Sequence, residues 1–376
     1  MRHFLAIAVF CLSLLPQVSF AQEAFNHTSA KQAILMDYDT GMVLFAKNAD
    51  EKMPTSSMSK TMTMYVVFQA LKQGRIQLDT ELQVSEKAWK KGGSKMFVEV
   101  NDRVSVDDLI QGVIVQSGND ATIVLAEGLS GTEEGFADAM NASAAELGMT
   151  SSNFMNASGW PDPDHYSTAR DLATLAHHLI SDFPEYYHYY SEQEFTYNNI
   201  KQPNRNPLLY RNIGADGIKT GHTEAGGYGL MASGTRNGRR VILVVNGLED
   251  EKARAQEGAR LLEWGLSGFE NVNLFAAGEL VGEAQVAMGK KEVVSLTVQE
   301  DVAITIPKTV KNDLKVEIVY EGPVVAPIRK GTEIATLKIN VPRVSEFEVP
   351  LYAGEDIEAL GFFASTVEKI KHKLGN

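Results

Sequence analysis

Hydrophobic positions predict mixed helices and strands up to about residue 272. Two apolar runs, 33–38 and 42–46, flank a polar turn containing Gly41, which predicts a β-hairpin. The run 61–71 is apolar on nearly every side, which predicts a buried helix. Other runs predict helices over 109–116, 121–129, 136–147, 169–180 and 255–266, a strand over 241–246 and an edge structure over 186–197. This pattern indicates an α/β or α+β domain.

The pattern changes from about residue 273. Short β-type runs occur at 280–286, 293–298, 302–306, 314–320, 334–339 and 347–351, separated by Gly, Lys and Pro. Such spacing is typical of a small β-sandwich. We therefore predict an all-β domain over 273–354, and none of its residues has a catalytic pattern.

The last segment predicts an amphipathic helix over 355–376. Its apolar positions recur at steps of three and four, acidic residues open it and lysines cluster near its end. Such a helix can lie in a membrane surface with its lysines near anionic headgroups. The alternative is a helix that docks on its own β domain.

Residues 1–21 resemble a secretory signal peptide. Arg2 precedes an apolar run over 4–15, and the segment ends in Ser19-Phe20-Ala21, which suits cleavage after Ala21. The run is too short to span a bilayer, and no spanning segment follows it. The only cysteine is Cys11, so the exported chain would hold no disulfide.

Charge excludes one class of partner. The chain has 35 basic and 48 acidic side chains, a net charge of −13, and no basic stripe, so nucleic acid is excluded as a partner. Its histidines, including the adjacent His177 and His178, lack zinc-site spacing. We expect neither a metal nor another cofactor.

The strongest chemical pattern is Ser57-Met58-Ser59-Lys60, at the start of the buried helix. One helical turn places Lys60 beside Ser57, and a neutral lysine can take the proton of a serine hydroxyl. Burial beside a second cation would favour that neutral form. The alternative is a chance pair, since a chain of this length contains about one such spacing at ordinary frequencies.

Two further motifs follow in the chain. Ser117-Gly118-Asn119 ends a predicted helix and offers a hydroxyl and an amide, although Ser151-Ser152-Asn153 is a rival match and helix capping is an alternative for both. Lys219-Thr220-Gly221 brings a cation and a hydroxyl to a strand edge, where they could hold a carboxylate. The three motifs in this order match the set of class A β-lactamases and penicillin-binding proteins.

With these motifs in place, the chain resembles the D-alanyl-D-alanine carboxypeptidases, which are low-molecular-mass penicillin-binding proteins of the serine type. The likeness extends over nearly the whole mature chain, including segments 147–149, 154–156, 166–171, 216–223 and 326–331. It implies a catalytic domain over 22–272 with the fold of serine β-lactamases and transpeptidases.

The resemblance also implies roles for individual residues. Ser57 would be the acylated nucleophile, Lys60 its base and Ser117 a proton shuttle. Backbone N–H groups of Ser57 and His222 would form the oxyanion hole. The substrate-binding residues would be Asn119, Lys219, Thr220, Gly221 and His222, with Arg205 and Arg254 beside the site. For the two arginines, an exposed surface position is the alternative.

The implied reaction removes the terminal D-alanine from peptidoglycan stem pentapeptides through an acyl-enzyme, with β-lactams as covalent inhibitors. The enzyme would lie on the periplasmic face of the cytoplasmic membrane. The alternatives are a DD-endopeptidase, a β-lactamase and a catalytically silent wall-binding protein. A class A β-lactamase needs a glutamate that the loop 149–168 lacks. The third stem residue, diaminopimelate or lysine, stays open.

Overall fold

The computed structural model describes residues 28–341 and 345–361. The predicted signal peptide and residues 362–376 of the predicted C-terminal helix lie outside this range. In the described residues no helix is both long and apolar enough to cross a membrane.

A five-stranded antiparallel sheet forms the centre of the first domain. The strands are β1 (Gln32–Asp37), β2 (Val43–Lys47), β7 (Ala215–Thr223), β8 (Gly227–Arg236) and β9 (Arg239–Leu248), in the order β2-β1-β9-β8-β7. The predicted hairpin is confirmed as β1 and β2. Since β7 forms one edge, the Lys219 motif lies on an edge strand.

Helices cover both faces of this sheet. They are α1 (Lys60–Lys72), α2 (Glu86–Lys90), α3 (Val106–Ile114), α4 (Asn119–Ser130), α5 (Glu133–Glu146), α6 (Ala169–Asp182) and α7 (Glu251–Gly268). Alternate β9 residues belong to different cores: Ile242 and Val244 pack with the core that includes α1, while Leu243 packs with the core that includes α7. This alternation is what a sheet buried on both faces requires.

Two small two-stranded antiparallel sheets complete the first domain. They are formed by β3 (Glu81–Gln83) with β4 (Arg103–Ser105), and by β5 (Glu194–Tyr197) with β6 (Ile200–Pro203). The edge structure predicted over 186–197 is partly confirmed, because only β5 is a strand and Tyr187–Ser191 form a 3-10 turn.

The second domain is all-β, as predicted. Its strands are β10 (Phe269–Phe275), β11 (Leu280–Ala287), β12 (Val293–Thr297), β13 (Val302–Pro307), β14 (Lys315–Val319), β15 (Val324–Val325), β16 (Glu333–Val341) and β17 (Ser345–Ala353). One sheet has the order β14-β16-β17-β12-β11-β15, and β10 pairs with β13. The predicted boundary at 272/273 falls inside β10, because this strand begins directly after α7.

The predicted helix does not begin at Glu355, which is a correction. Residues 355–361 are extended along the β domain: Ile357 bridges Ile328 and is 2% exposed. Glu355 pairs with Lys291, and Glu358 pairs with Lys290. The acidic residues that looked like a helix N-terminus therefore bind lysines of the β domain, and an apolar residue of the assumed helical face fills its core.

A buried polar cluster joins the two domains. The Arg239 guanidinium donates to Asp37 at 2.7 Å and to Asn271 of β10 at 3.1 Å. Thr305 of β13 shares a hydrogen bond of 2.6 Å with Thr40 in the turn between β1 and β2. The β domain is thus fixed to the end of β1, to the turn after it and to the start of β9.

Candidate active site

Ser57 lies in a 3-10 turn, Ser56–Ser59, that leads directly into α1. Two neighbouring segments pack closely against the backbone of this turn. A Cβ at Gly159 would collide with the carbonyl oxygen of Ser56, and a Cβ at Gly221 would lie 2.8 Å from that of Thr55. Both glycines therefore permit neighbouring segments to reach the serine turn.

Lys60 is completely buried and contacts Ser57 as the i, i+3 spacing predicts. Its Nζ lies 2.8 Å from Ser57 Oγ, 2.7 Å from Asn119 Oδ1 and 2.7 Å from the carbonyl oxygen of Ser158. A neutral amine can donate to the last two oxygens and still present its lone pair to Ser57. This geometry orients Lys60 as an acceptor of the Ser57 proton.

The pKa of Lys60 falls from its ordinary 10.5 to about 7, chiefly through burial. The positive charge of Arg205 also lowers this pKa, Asp120 opposes the change, and Lys91 adds a smaller lowering. Near neutral pH a substantial fraction of the amine is therefore uncharged, as general-base chemistry requires.

Asn119 contacts Lys60, and Ser117 lines the same cavity as Ser57. Ser117 has a φ of 65° and a buried Oγ without a hydrogen-bond partner among the described residues. A strained backbone with an unpaired buried hydroxyl is typical of functional positions. In contrast, the first two residues of the rival motif donate to the Asp171 carboxylate, Ser151 through its backbone N–H and Ser152 through its hydroxyl, and they have a structural role.

Strand β7 brings Lys219, Thr220 and Gly221 to the serine turn. Lys219 is 2% exposed, and burial together with Lys60, Arg205 and Arg254 holds its pKa well below the ordinary value. Cations that lower one another's pKa form a site that favours an anion.

A cavity of about 790 Å³ opens in front of these residues. The predicted residues that line it are Ser57, Ser117, Arg205, Thr220, Gly221, His222 and Arg254. The His222 ring stacks on Tyr228, with centroids 3.9 Å apart. The structure thus brings together the residues that the three motifs and the resemblance selected.

Both arginines face this cavity. Arg254 is 6% exposed and its Nε has no hydrogen-bond partner among the described residues, so the alternative of an exposed surface arginine is wrong for it. Arg205 is exposed but lines the cavity and donates to Ser94 Oγ at 2.7 Å. Guanidinium groups at this position can bind a carboxylate.

Several supporting groups have no sequence signal. Asn119 donates from Nδ2 to the carbonyl of Gly92, and its own N–H donates to the carbonyl of Ser94. The Asp120 carboxylate accepts hydrogen bonds from the N–H groups of Met96 and Phe97. These contacts hold the loop 91–98 over the cavity. Among the described residues, no His, Cys, Asp or Glu cluster could hold a metal ion.

Comparison with known proteins identifies the family. A model described as D-alanyl-D-alanine carboxypeptidase matches residues 18–250, and one described as penicillin-binding protein 5, C-terminal domain, matches 269–359. The D-alanyl-D-alanine carboxypeptidase DacC of Escherichia coli (strain K12) is 40% identical, covering 100% of this chain and 96% of that protein. A D-alanyl-D-alanine endopeptidase of the same organism is 30% identical over 69% of this chain and 87% of that protein.

Solved structures agree with this assignment. Penicillin-binding protein 5 from Haemophilus influenzae has a TM-score of 0.78 and 41% identity, covering 88% of this chain and 98% of that one. Penicillin-binding protein D2 from Listeria monocytogenes in its ampicillin-bound form has a TM-score of 0.59 and 32% identity, covering 64% and 98%. The chain belongs to the D-alanyl-D-alanine carboxypeptidase family, and its first domain has the penicillin-binding-protein fold.

Proposed function

We propose that the chain removes the terminal D-alanine from peptidoglycan stem pentapeptides by acylation of Ser57, and that β-lactams acylate the same serine. The observation that carries this proposal is the 2.8 Å contact between Lys60 Nζ and Ser57 Oγ at the wall of a cationic cavity. A hydroxyl beside a neutral buried amine is an activated nucleophile.

In the proposed acylation, Lys60 takes the hydroxyl proton while Ser57 Oγ bonds to the carbonyl carbon between the last two D-alanines. Backbone N–H groups of Ser57 and His222 stabilise the oxyanion. The terminal carboxylate binds Thr220 and the Arg254 guanidinium, which has an unpaired buried Nε. The Ser117 hydroxyl gives its proton to the leaving amine as the peptide bond breaks and receives the proton held by Lys60, which is then neutral again.

In the proposed deacylation, water attacks the acyl carbon and gives its proton to Lys60. The acyl–oxygen bond then breaks, and the proton returns to Ser57. The segment 149–168 contributes the Ser158 carbonyl to Lys60 and contains no glutamate. A β-lactam adduct should consequently persist longer than it would in a class A β-lactamase.

Intact mass measurement after mixing the mature protein with benzylpenicillin tests this function, alongside D-alanine release from a soluble pentapeptide. We expect a stable adduct of one penicillin per chain together with D-alanine release. Rapid penicillin turnover without an adduct would instead favour a β-lactamase. Neither adduct nor release would favour a silent wall-binding protein.

The rate of acylation should rise with pH through about 7, the pKa of Lys60. Because the neutral amine is the base, protonation below that pH removes the active form, and the rate should fall about tenfold per pH unit there. Benzylpenicillin acylation under single-turnover conditions at pH 5 to 9 measures this profile. A rate that is flat between pH 5 and 8 would contradict the assignment of Lys60 as base.

We also propose export with cleavage after Ala21 and attachment to the outer surface of the cytoplasmic membrane through the tail. The support is the spacing of Phe363, Val367, Ile370 and Leu374 and the late lysines. Deletion of 362–376 should release the protein from washed membranes and leave cleavage of soluble peptides unchanged. A deletion from Glu355 would be a poorer test because it removes buried Ile357. Membrane retention after the shorter deletion would contradict attachment through the tail.

A further inference from the structure

A second cleft, of about 610 Å³, also borders the serine turn and shares no lining residue with the catalytic cavity. Ser56 and Thr223 line it, whereas the adjacent Ser57 and His222 line the catalytic cavity. Ser56 Oγ donates to Thr223 Oγ1 at 3.1 Å, and this pair forms the ridge between the two. No motif or proposed catalytic role accounts for this cleft.

The cleft walls are mostly apolar, and opposite charges lie at its edge. The apolar walls include Met53, Pro54, Trp160, Pro161 and Tyr166. The Lys52 ammonium lies 4.2 Å from the centre of the Tyr166 ring. Asp162 also lines the cleft, and its side chain accepts only the N–H of Asp164. Neither Lys52 nor Asp162 has an ion-pair partner among the residues that the structure describes.

The proposed reaction indicates which part of the substrate would lie nearest to the cleft. If the terminal carboxylate lies at Thr220 and Arg254, the leaving D-alanine occupies the catalytic cavity. The acyl part, bonded to Ser57 Oγ, lies on the other side of the scissile bond, and we place it across the ridge in the cleft. The third stem residue directly precedes the acyl D-alanine, so their α-carbons are only about 3.8 Å apart.

We propose that this cleft binds the side chain of the third stem residue and prefers diaminopimelate to lysine. Both side chains carry an aliphatic stem, which suits the apolar walls, and a terminal ammonium, which Asp162 would bind. Diaminopimelate has in addition a carboxylate beside that ammonium, and Lys52 would bind it. This proposal rests on the proposed function.

Two pentapeptides that differ only in the third residue test the proposal, and N-acetyl-D-alanyl-D-alanine serves as a substrate too short to reach the cleft. In the wild type, kcat/KM should be about fivefold higher for the diaminopimelate peptide, the size expected of one partly exposed ion pair. Lys52→Gln should remove this preference. Asp162→Asn should lower kcat/KM for both pentapeptides by the same factor, since both carry the ammonium.

Lys72→Gln is the matched control. Lys72 is also exposed and lies on an aromatic ring, that of Phe183, but at the far end of α1. This variant should keep the preference, and all variants should cleave the short substrate at the wild-type rate. Equal cleavage of both pentapeptides by the wild type, or an unchanged preference in Lys52→Gln, would overturn the inference while D-alanine release still supports the function. If the wild type released D-alanine from none of the three, the proposed function would fail and the inference with it.

Discussion

Ser57→Ala should lose both the penicillin adduct and D-alanine release, with kcat/KM falling by about 10⁴-fold or more. The variant keeps the turn and the cavity but has no oxygen to form the acyl bond. Lys60 would keep its contacts to Asn119 and Ser158, so the fold should survive. Intact mass with benzylpenicillin and a D-alanine assay measure the two losses.

Ser151→Ala is the control for this variant, because Ser151 begins the rival Ser-x-Asn match but its backbone N–H donates to Asp171. It should form the adduct and release D-alanine as the wild type does. An adduct of full occupancy on Ser57→Ala would show that another residue is acylated, and peptide mapping would locate it.

Lys60→Met should slow acylation by about 10³-fold, within the range for loss of a general base. Methionine fills a similar volume but cannot take the Ser57 proton. It also leaves the oxygens of Asn119 and Ser158 without their donor, so thermal unfolding must confirm that the variant is folded. Single-turnover acylation by benzylpenicillin gives the rate.

Lys60→Arg separates proton transfer from charge. Arginine keeps a cation at the site but does not lose its proton in the accessible pH range, so it should be as slow as Lys60→Met. Acylation within tenfold of the wild-type rate by Lys60→Arg would mean that position 60 acts through its charge, and the base would have to be sought elsewhere.

Local periodicity predicted most elements because their stability comes from burying one face or both. The hairpin, the helices of the first domain and the short strands of the second were all found near their predicted positions. The Ser57–Lys60 contact was also predictable, because residues three positions apart on a helical turn lie side by side. The predicted helix start at Glu355 was wrong because carboxylates are favourable both at a helix N-terminus and beside the lysines of a strand edge.

The rest of the site depends on contacts between distant segments. Lys60 meets Asn119 and Ser158, which lie 59 and 98 residues further along the chain. Of these, only Asn119 has a motif, because a backbone carbonyl such as that of Ser158 leaves no mark in the sequence. The cleft beyond Ser56 was likewise invisible, since prolines and aromatics in a polar loop indicate only a turn.

The cluster of basic side chains in the cavity can distinguish a terminal carboxylate from a peptide chain that continues. Burial, and then the charges of Lys60, Arg205 and Arg254, hold the pKa of Lys219 well below its ordinary value, so the free site lacks an anion that would stabilise positive charge there. A terminal carboxylate supplies that anion, whereas a peptide that continues past its second D-alanine presents a neutral amide at the same place. We expect this electrostatic difference to favour cleavage at the end of a chain.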